Sequence, residues 1–283
     1  MPVRSVSKIV YAPEHEMGPR TIRQPLPSGE LPYLDPFVLL HHAPPRVNDG
    51  KHGLAAHPHR GFAPVTFIYK GGVRHRDTMG NDSTITAGGT QWMHAGSGIL
   101  HEENPLAGEN ELIQLWINTP AKDKMAAPTY SPLSREATPR HVTGDGLVTV
   151  NVIAGHLLGL AGPIPTLSSV NAATIDAKRN GRIEIPLPPS HNAFLYLLDG
   201  AVSAGAGEPV TGLRLAAFER DGDAIAFEAL EDTRALLMSG EPIGEPIVSY
   251  GPFVMNSEEE IKKAFRDYRA GLFGEVKPLA NIR

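Results

Sequence analysis

The sequence predicts an all-β protein: two tandem antiparallel β-barrels, followed by one C-terminal helix that packs on a barrel wall. Glycine and proline, 29 and 26 residues, together approach a fifth of the 283-residue chain. In the absence of low-complexity runs, that excess reads as many tight turns between short strands. The turn signals recur at intervals of about 8 to 12 residues, a spacing that suits a sandwich or barrel. The second half of the chain then repeats the theme of the first.

In the first half, residues 64–69 (PVTFIY) are apolar, β-branched and aromatic, and Gly71-Gly72 ends the run. Gly80-Asn81-Asp82 is a turn before the alternating 83–86 (STIT), Gly88-Gly89 is another, and 114–118 (QLWIN) is a further strand. Residues 120–139 are proline-rich, polar and without period, which reads as a domain linker or a long crossing loop. In the second half, 193–198 (AFLYLL) runs into Asp199-Gly200, a hairpin signal, and 201–203 follows. Residues 214–218, 223–227 and 233–239 supply three more strands. The expected domains are therefore 1–140 and 145–283, the second including the helix. That helix is announced by Ser257 with Glu260 three residues on, a capping box. Ile261, Phe265, Tyr268 and Leu272 form one apolar stripe, and basic residues follow the first-turn glutamates as the helix dipole favours.

Composition removes several function classes. The net charge is −5 and no basic stripe is present, so no direct nucleic-acid binding is expected. There is no cysteine, which excludes disulfides, thiolate metal sites, iron–sulfur clusters and cysteine nucleophiles. Any metal must then be held by nitrogen and oxygen. The start of the chain lacks a long apolar run and no stretch of about 18 apolar residues occurs, so neither a secretory signal nor a membrane-spanning helix is expected. The expected protein is a monomer of the cytoplasm, or of the nucleus in a eukaryote.

Two short motifs carry chemistry. His57-Pro58-His59 places two imidazoles at i and i+2, and His101-Glu102-Glu103 places an imidazole and a carboxylate at the same spacing. On strands this spacing points both members of a pair to one face, and in a barrel the useful face is inward. Taken alone, His-X-His is compatible with two partly exposed surface histidines. A second pair in matching phase, beside the glycine-rich turn Ala95-Gly96-Ser97-Gly98, favours a site. If the two strands are neighbours, His57, His59, His101 and Glu103 converge as three nitrogens and one oxygen, with Glu102 facing outward.

The segments HPHRGF (57–62), GNDSTITAGGTQWMHAGSGILHEE (80–103) and QLWINTPAKDKM (114–125) resemble the pirin family, a branch of the cupins. HNAFLYLLDG (191–200) and FRDYRAGLFG (265–274) extend the resemblance through the second half. It implies two cupin, jelly-roll-like barrels, with one metal ion in the first, most often iron. The family's three histidines and one glutamate fall on His57, His59, His101 and Glu103. The chain departs from the pattern at Ala63, where cupins and most pirins place a glutamate that would sit behind the ligands. His41-His42 and His94 also differ from the usual residues and are candidates to lie close behind the ligands. His191 has no partner histidine, so no metal is expected in the second barrel.

A three-histidine, one-carboxylate set suits Fe(II), while Mn, Ni, Co and Cu are chemically compatible and Zn is a common impostor. Four protein ligands leave open positions for an oxygen-bearing substrate. Active pirins resemble quercetin 2,3-dioxygenases, so the resemblance implies a flavonoid-like aromatic substrate and dioxygen. Glu103 would take the substrate's hydroxyl proton, and Phe62, Trp92 and Met93 would form the pocket wall. The competing reading is an iron-binding, redox-sensitive regulator that acts by contact with a protein partner, a transcription factor or a metabolic enzyme. A third is dioxygenase chemistry on a smaller, unrelated substrate.

Overall fold

The structure is a computed structural model that describes residues 2–17, 20–205 and 207–277. Among the described residues the chain is built of antiparallel strands with one α-helix, Glu258–Arg269, as expected. No described helix is long and apolar enough to cross a membrane. The expected strands form where the sequence places them: 64–69 lies within Phe62–Lys70, 114–118 within Gly108–Asn118, and 193–198 within Asn192–Asp199.

The chain divides into two compact units, each assembled from two separate pieces: Met1–His41 with Glu136–Ile243, and His42–Arg135 with Gly244–Arg283. A single cut near residue 140 does not describe this division. The N-terminal strand Val6–Tyr11 pairs with Arg214–Phe218, placing Val10 opposite Leu215. Arg4, 1% exposed, donates from its guanidinium to the carbonyls of Gly222, His191 and Pro188. The first strand thus belongs with the second barrel. A strand that finds its partner two hundred residues away has no local signature of its destination.

The unit that contains Arg4 has a sheet in the order Val6–Tyr11, Arg214–Phe218, Asn192–Asp199, Thr233–Gly240, Val170–Ala177, Val148–Ala154, Arg140–Val142. A four-stranded sheet, Arg182–Pro186, Ala224–Ala229, Ala201–Ser203, Val210–Thr211, accompanies it. Their apolar side chains, among them Val150, Ile175, Leu195, Leu197, Phe227 and Leu237, form one continuous buried core.

The other unit holds both histidine motifs. One sheet runs Thr129–Leu133, Thr90–His94, Phe62–Lys70, Gly108–Asn118 and then Phe37–Asn48, the strand that carries the chain across the division. The four-stranded sheet runs Leu54–His59, Ile99–Pro105, Gly72–Asp77, Asp82–Thr86. Part of the expected linker is therefore structure: Thr129–Leu133 pairs along Thr90–His94. Its sequence, TYSPL, carries a proline at an edge position, which hides the strand from a reading by period.

The C-terminal helix belongs to this unit. Its capping box is formed, Ser257 Oγ accepting from Glu260 N–H and Glu260 Oε2 accepting from Ser257 N–H. Ile261 and Ala264 are buried against Phe253, Met255 and Phe273, with Leu100 of the histidine strand beside them. The expected stripe runs out at its end: the helix stops at Arg269, Leu272 is 70% exposed, and Phe273 takes the buried place. Phe273 lies over Gly98, where an added Cβ would stand 2.4 Å from its ring. Gly98 also has φ +128°, a backbone that L side chains avoid.

Lys124 ties the same region together. Its ammonium donates to Gly61 O at 2.7 Å, Asn118 Oδ1 at 2.6 Å and Val254 O at 3.0 Å. Burial pushes its pKa down to about 8, so it remains largely protonated at neutral pH. Lys124→Met removes the shared donor from three buried acceptors and is expected to cost about 3 kcal/mol or more in urea unfolding. A loss under about 1 kcal/mol would show that those acceptors do not depend on it.

Candidate metal centre

The two histidine motifs lie on neighbouring antiparallel strands. His101 stands directly opposite His57, Leu100 opposite Pro58, and Ile99 opposite His59. The pairing brings the rings together: centroids are 4.4 Å apart for His57 and His101, 4.9 Å for His57 and His59, and 5.0 Å for His59 and His101. One ring nitrogen from each lies within 4.8 Å of the other two. His59 and His101 are buried, while His57 is partly exposed.

The free ends of the rings are set by their tied ends. His57 Nδ1 lies 2.9 Å from Ala55 O and His59 Nδ1 lies 3.2 Å from Pro252 O. A carbonyl only accepts, so in each neutral ring the hydrogen sits on Nδ1 and Nε2 is a bare lone pair. His101 Nδ1 lies 3.5 Å from His75 Nδ1. The Nε2 atoms of His59 and His101 are buried without a hydrogen-bond partner among the described residues. Orphaned buried nitrogens are costly unless something binds them, and converging imidazoles tied through their other nitrogen are suited to a metal ion.

Burial pushes the His59 pKa down to about 3, and the nearby His57 adds to the effect. Burial likewise holds His101 well below its usual range, with His59, His57 and His75 contributing. These two imidazoles are therefore neutral donors at neutral pH.

Glu103 is brought to the same face of its strand as His101, yet it does not join the three nitrogens within that 4.8 Å radius. Its Oε1 accepts from Thr66 Oγ1 at 3.0 Å and its Oε2 from Gln114 Nε2 at 2.8 Å. Thr66 and Gln114 are opposite one another on Phe62–Lys70 and Gly108–Asn118, so the other sheet of the unit holds this carboxylate. Glu102, as expected, faces the other way and pairs with Arg76 at 2.7 Å.

The remaining candidates separate by strand alternation. Phe62 is beside the site, its ring 5.1 Å from His59. Met93 packs with Ala95, Ile99 and Tyr130. It shares the face of Gln91, which stands opposite Thr66. Trp92, opposite Val65, points to the other face, and His94 shares its phase, so neither projects with the Thr66 row. Ala63 is also on that other face, one residue out of phase with Phe62 and Thr66, so the residue type there does not bear on the Glu103 carboxylate directly. His41 is hydrogen-bonded to Gln24 at 2.9 Å, and burial, aided by His15, pushes its pKa down to about 4. His42 faces the buried Glu111 at 3.5 Å. His191 meets Ser239 and Ser169 in the other unit.

Sequence reasoning missed three contributors. Trp116, in phase with Gln114, packs 4.3 Å from Phe62 and 5.4 Å from His59. His75 and Asp77 lie across from Glu103 and His101 on Gly72–Asp77, and His75 stacks on Tyr130 with centroids 4.0 Å apart. Their signal was present: His75-Arg76-Asp77 repeats the i, i+2 spacing of the two motifs that were recognised.

A pH dependence follows for the metal-free protein. The unfolded chain's histidines titrate near 6.5, while folded His59 and His101 titrate far lower, so the unfolded state binds more protons as pH falls. The stability they allow is whole above about pH 6.5 and is lost as pH falls; for His59 the loss is about 2 kcal/mol at pH 5. Thermal melts at pH 7.5 and 5.0 should show this fall. Variants carrying phenylalanine at both positions should lose much of it, and equal slopes in variant and parent would contradict the assignment.

Comparison with known proteins identifies the family and the fold. Residues 172–274 match the family described as Pirin C-terminal cupin domain, and residues 19–117 match the one described as Pirin. A pirin-like protein of Caulobacter vibrioides is 39% identical over 280 residues, covering 96% of this chain and 100% of that one. Pirin-like protein 2 of Arabidopsis thaliana is 36% identical over 283 residues, covering 96% of this chain and 86% of its own. The crystal structure of a quercetin 2,3-dioxygenase from Acinetobacter baumannii superimposes with a TM-score of 0.91 at 32% identity, covering 98% of this chain and 100% of that one. The chain, a bicupin, belongs to the pirin family.

Proposed function

We propose that the protein is a metal-dependent dioxygenase that opens the ring of a quercetin-like flavonol, its ion held by His57, His59, His101 and Glu103. The observation that carries this reading is the convergence of three imidazoles, two of them with buried Nε2 atoms that have no partner among the described residues. The likeness to a quercetin 2,3-dioxygenase supports the reaction and substrate class. Nitrogen and oxygen donors without sulfur suit Fe(II), the ion we assign, and Mn, Ni, Co, Cu and Zn remain compatible with the donors.

When bound, such an ion supplies Lewis acidity toward an enolic hydroxyl and redox chemistry toward dioxygen. The protein's own part is clearer. His59 and His101, held neutral by burial, present lone pairs with no proton to displace. Released from the ion, Glu103 would be the base for the flavonol's 3-hydroxyl proton: the freed oxygen takes it while Thr66 or Gln114 keeps the other in place. Trp116, partly exposed and packed on the buried Phe62, gives aromatic surface beside His59 against which a flat ring can lie. Partly exposed His57 marks the open side of the site.

The test is anaerobic loading with Fe(II), Mn(II), Ni(II), Co(II) or Cu(II), then measurement of oxygen uptake and carbon monoxide release with quercetin. At least one metal form should turn over well above the His101→Ala variant. Glu103→Gln should bind metal yet lose at least about a hundredfold in kcat. No metal form exceeding the His101→Ala control would overturn the proposed activity.

A further inference from the structure

We propose that Asp77 and His75 form a tautomer relay that fixes the hydrogen of His101 on Nδ1 and keeps its Nε2 bare as a ligand. The proposal rests on reading the histidine triad as a metal centre. His57 and His59 have backbone carbonyls for this purpose, whereas His101 has only another imidazole. Two imidazoles facing through Nδ1 do not by themselves decide which one donates.

Asp77 decides it. Its Oδ1 accepts from the backbone N–H of Met79 at 2.9 Å and of Asn81 at 3.1 Å. Its Oδ2 accepts from Asn81 Nδ2 at 2.8 Å and lies 3.0 Å from His75 Nε2. A buried carboxylate surrounded by donors on both oxygens accepts from all of them, so His75 carries its hydrogen on Nε2. When the His75 ring is uncharged its Nδ1 can only accept, and the nitrogen 3.5 Å away, His101 Nδ1, donates. With its hydrogen there, His101 keeps a lone pair on Nε2, the atom that is buried without a partner among the described residues. Stacking on Tyr130, at an interplanar angle of 6°, fixes the plane of the His75 ring. Tyr130 is itself tied through its hydroxyl to Ser83 at 2.7 Å. Strand register supports the chain: Asp77 lies opposite His101, and His75 opposite Glu103, all on one face. A carboxylate behind an imidazole also makes it a stronger donor to a metal.

Asp77→Asn tests the relay sharply. The amide oxygen stays on the two backbone N–H donors, which turns the NH2 group toward His75 Nε2 and requires Asn81 to turn its own amide so that its oxygen accepts. His75 must then carry its hydrogen on Nδ1, and His101 is pushed to the Nε2–H form, the wrong tautomer for a ligand. The readout is long-range 1H–15N correlation on metal-free protein labelled at histidine, followed by Zn(II) titration as a diamagnetic probe. The parent should show His101 as Nδ1–H, and Asp77→Asn should show Nε2–H with about ten- to a hundredfold weaker Zn(II) binding and unchanged cooperative unfolding. His75→Phe, which keeps a ring on Tyr130 and removes the acceptor, should leave His101 as a tautomer mixture with a similar loss. Finding parental His101 as Nε2–H or as imidazolium would overturn the relay. So would Asp77→Asn retaining both the tautomer and the affinity. Failure of the parent to bind Zn(II), with His101 still Nδ1–H, would overturn the metal-centre reading and leave the relay standing.

Discussion

The register between Leu54–His59 and Ile99–Pro105 is the constraint on which the site depends. With His101 opposite His57, three imidazoles meet on one face. A slip of one residue would send His101 to the other face and bring Leu100 into its place. The register is fixed on the far side too, where Ile99–Pro105 pairs without irregularity along Gly72–Asp77. The irregularity between His101 and Glu103 occurs only against the His-Pro-His strand. Glu103 can therefore keep phase with His75 while the first strand departs.

Holding that face together costs stability, and the C-terminal piece offsets it. Two imidazoles are buried neutral, each with a nitrogen that has no partner among the described residues, an arrangement that folding alone does not favour. Around them, Pro252 O fixes His59, and Arg60 next to it reaches Asp267 of the helix at 2.8 Å. Gly61 and Gly98 lack side chains where Val254 O and the Phe273 ring approach most closely. Lys124 bonds both Gly61 O and Val254 O. The helix and the segment before it thus act as a brace on the histidine strands, which explains why they belong with this unit and not with the barrel that precedes them in sequence.

Much of this was legible from the sequence, for a physical reason. Side chains alternate along a strand, so His57/His59 and His101/Glu103 announce a shared face without any knowledge of the fold. The capping box at Ser257 is equally local. What escaped was either long-range or a matter of phase. The pairing of Val6–Tyr11 with Arg214–Phe218 leaves no trace in either segment. Trp92 was expected at the pocket wall as an aromatic residue near the ligands, but it faces the other way from the Thr66 row, and Trp116 is the tryptophan that stands beside Phe62 and His59. His75 and Asp77 show the recognised spacing yet stand apart from the motifs that drew attention. The separation of Glu103 from the triad by its bonds to Thr66 and Gln114 depends on the facing sheet, which no spacing within one strand reveals.

The central claim is that one ion sits on His57, His59 and His101, with Glu103 as fourth ligand. The most direct measurement is anomalous diffraction at the metal's absorption edge from crystals of Fe(II)-loaded protein grown without oxygen. One peak should lie about 2.0–2.2 Å from the Nε2 atoms of the three histidines, with a Glu103 oxygen swung from Thr66 or Gln114 to join them. A peak held by Nδ1 atoms or at other residues, or no peak at the triad at full loading, would contradict it.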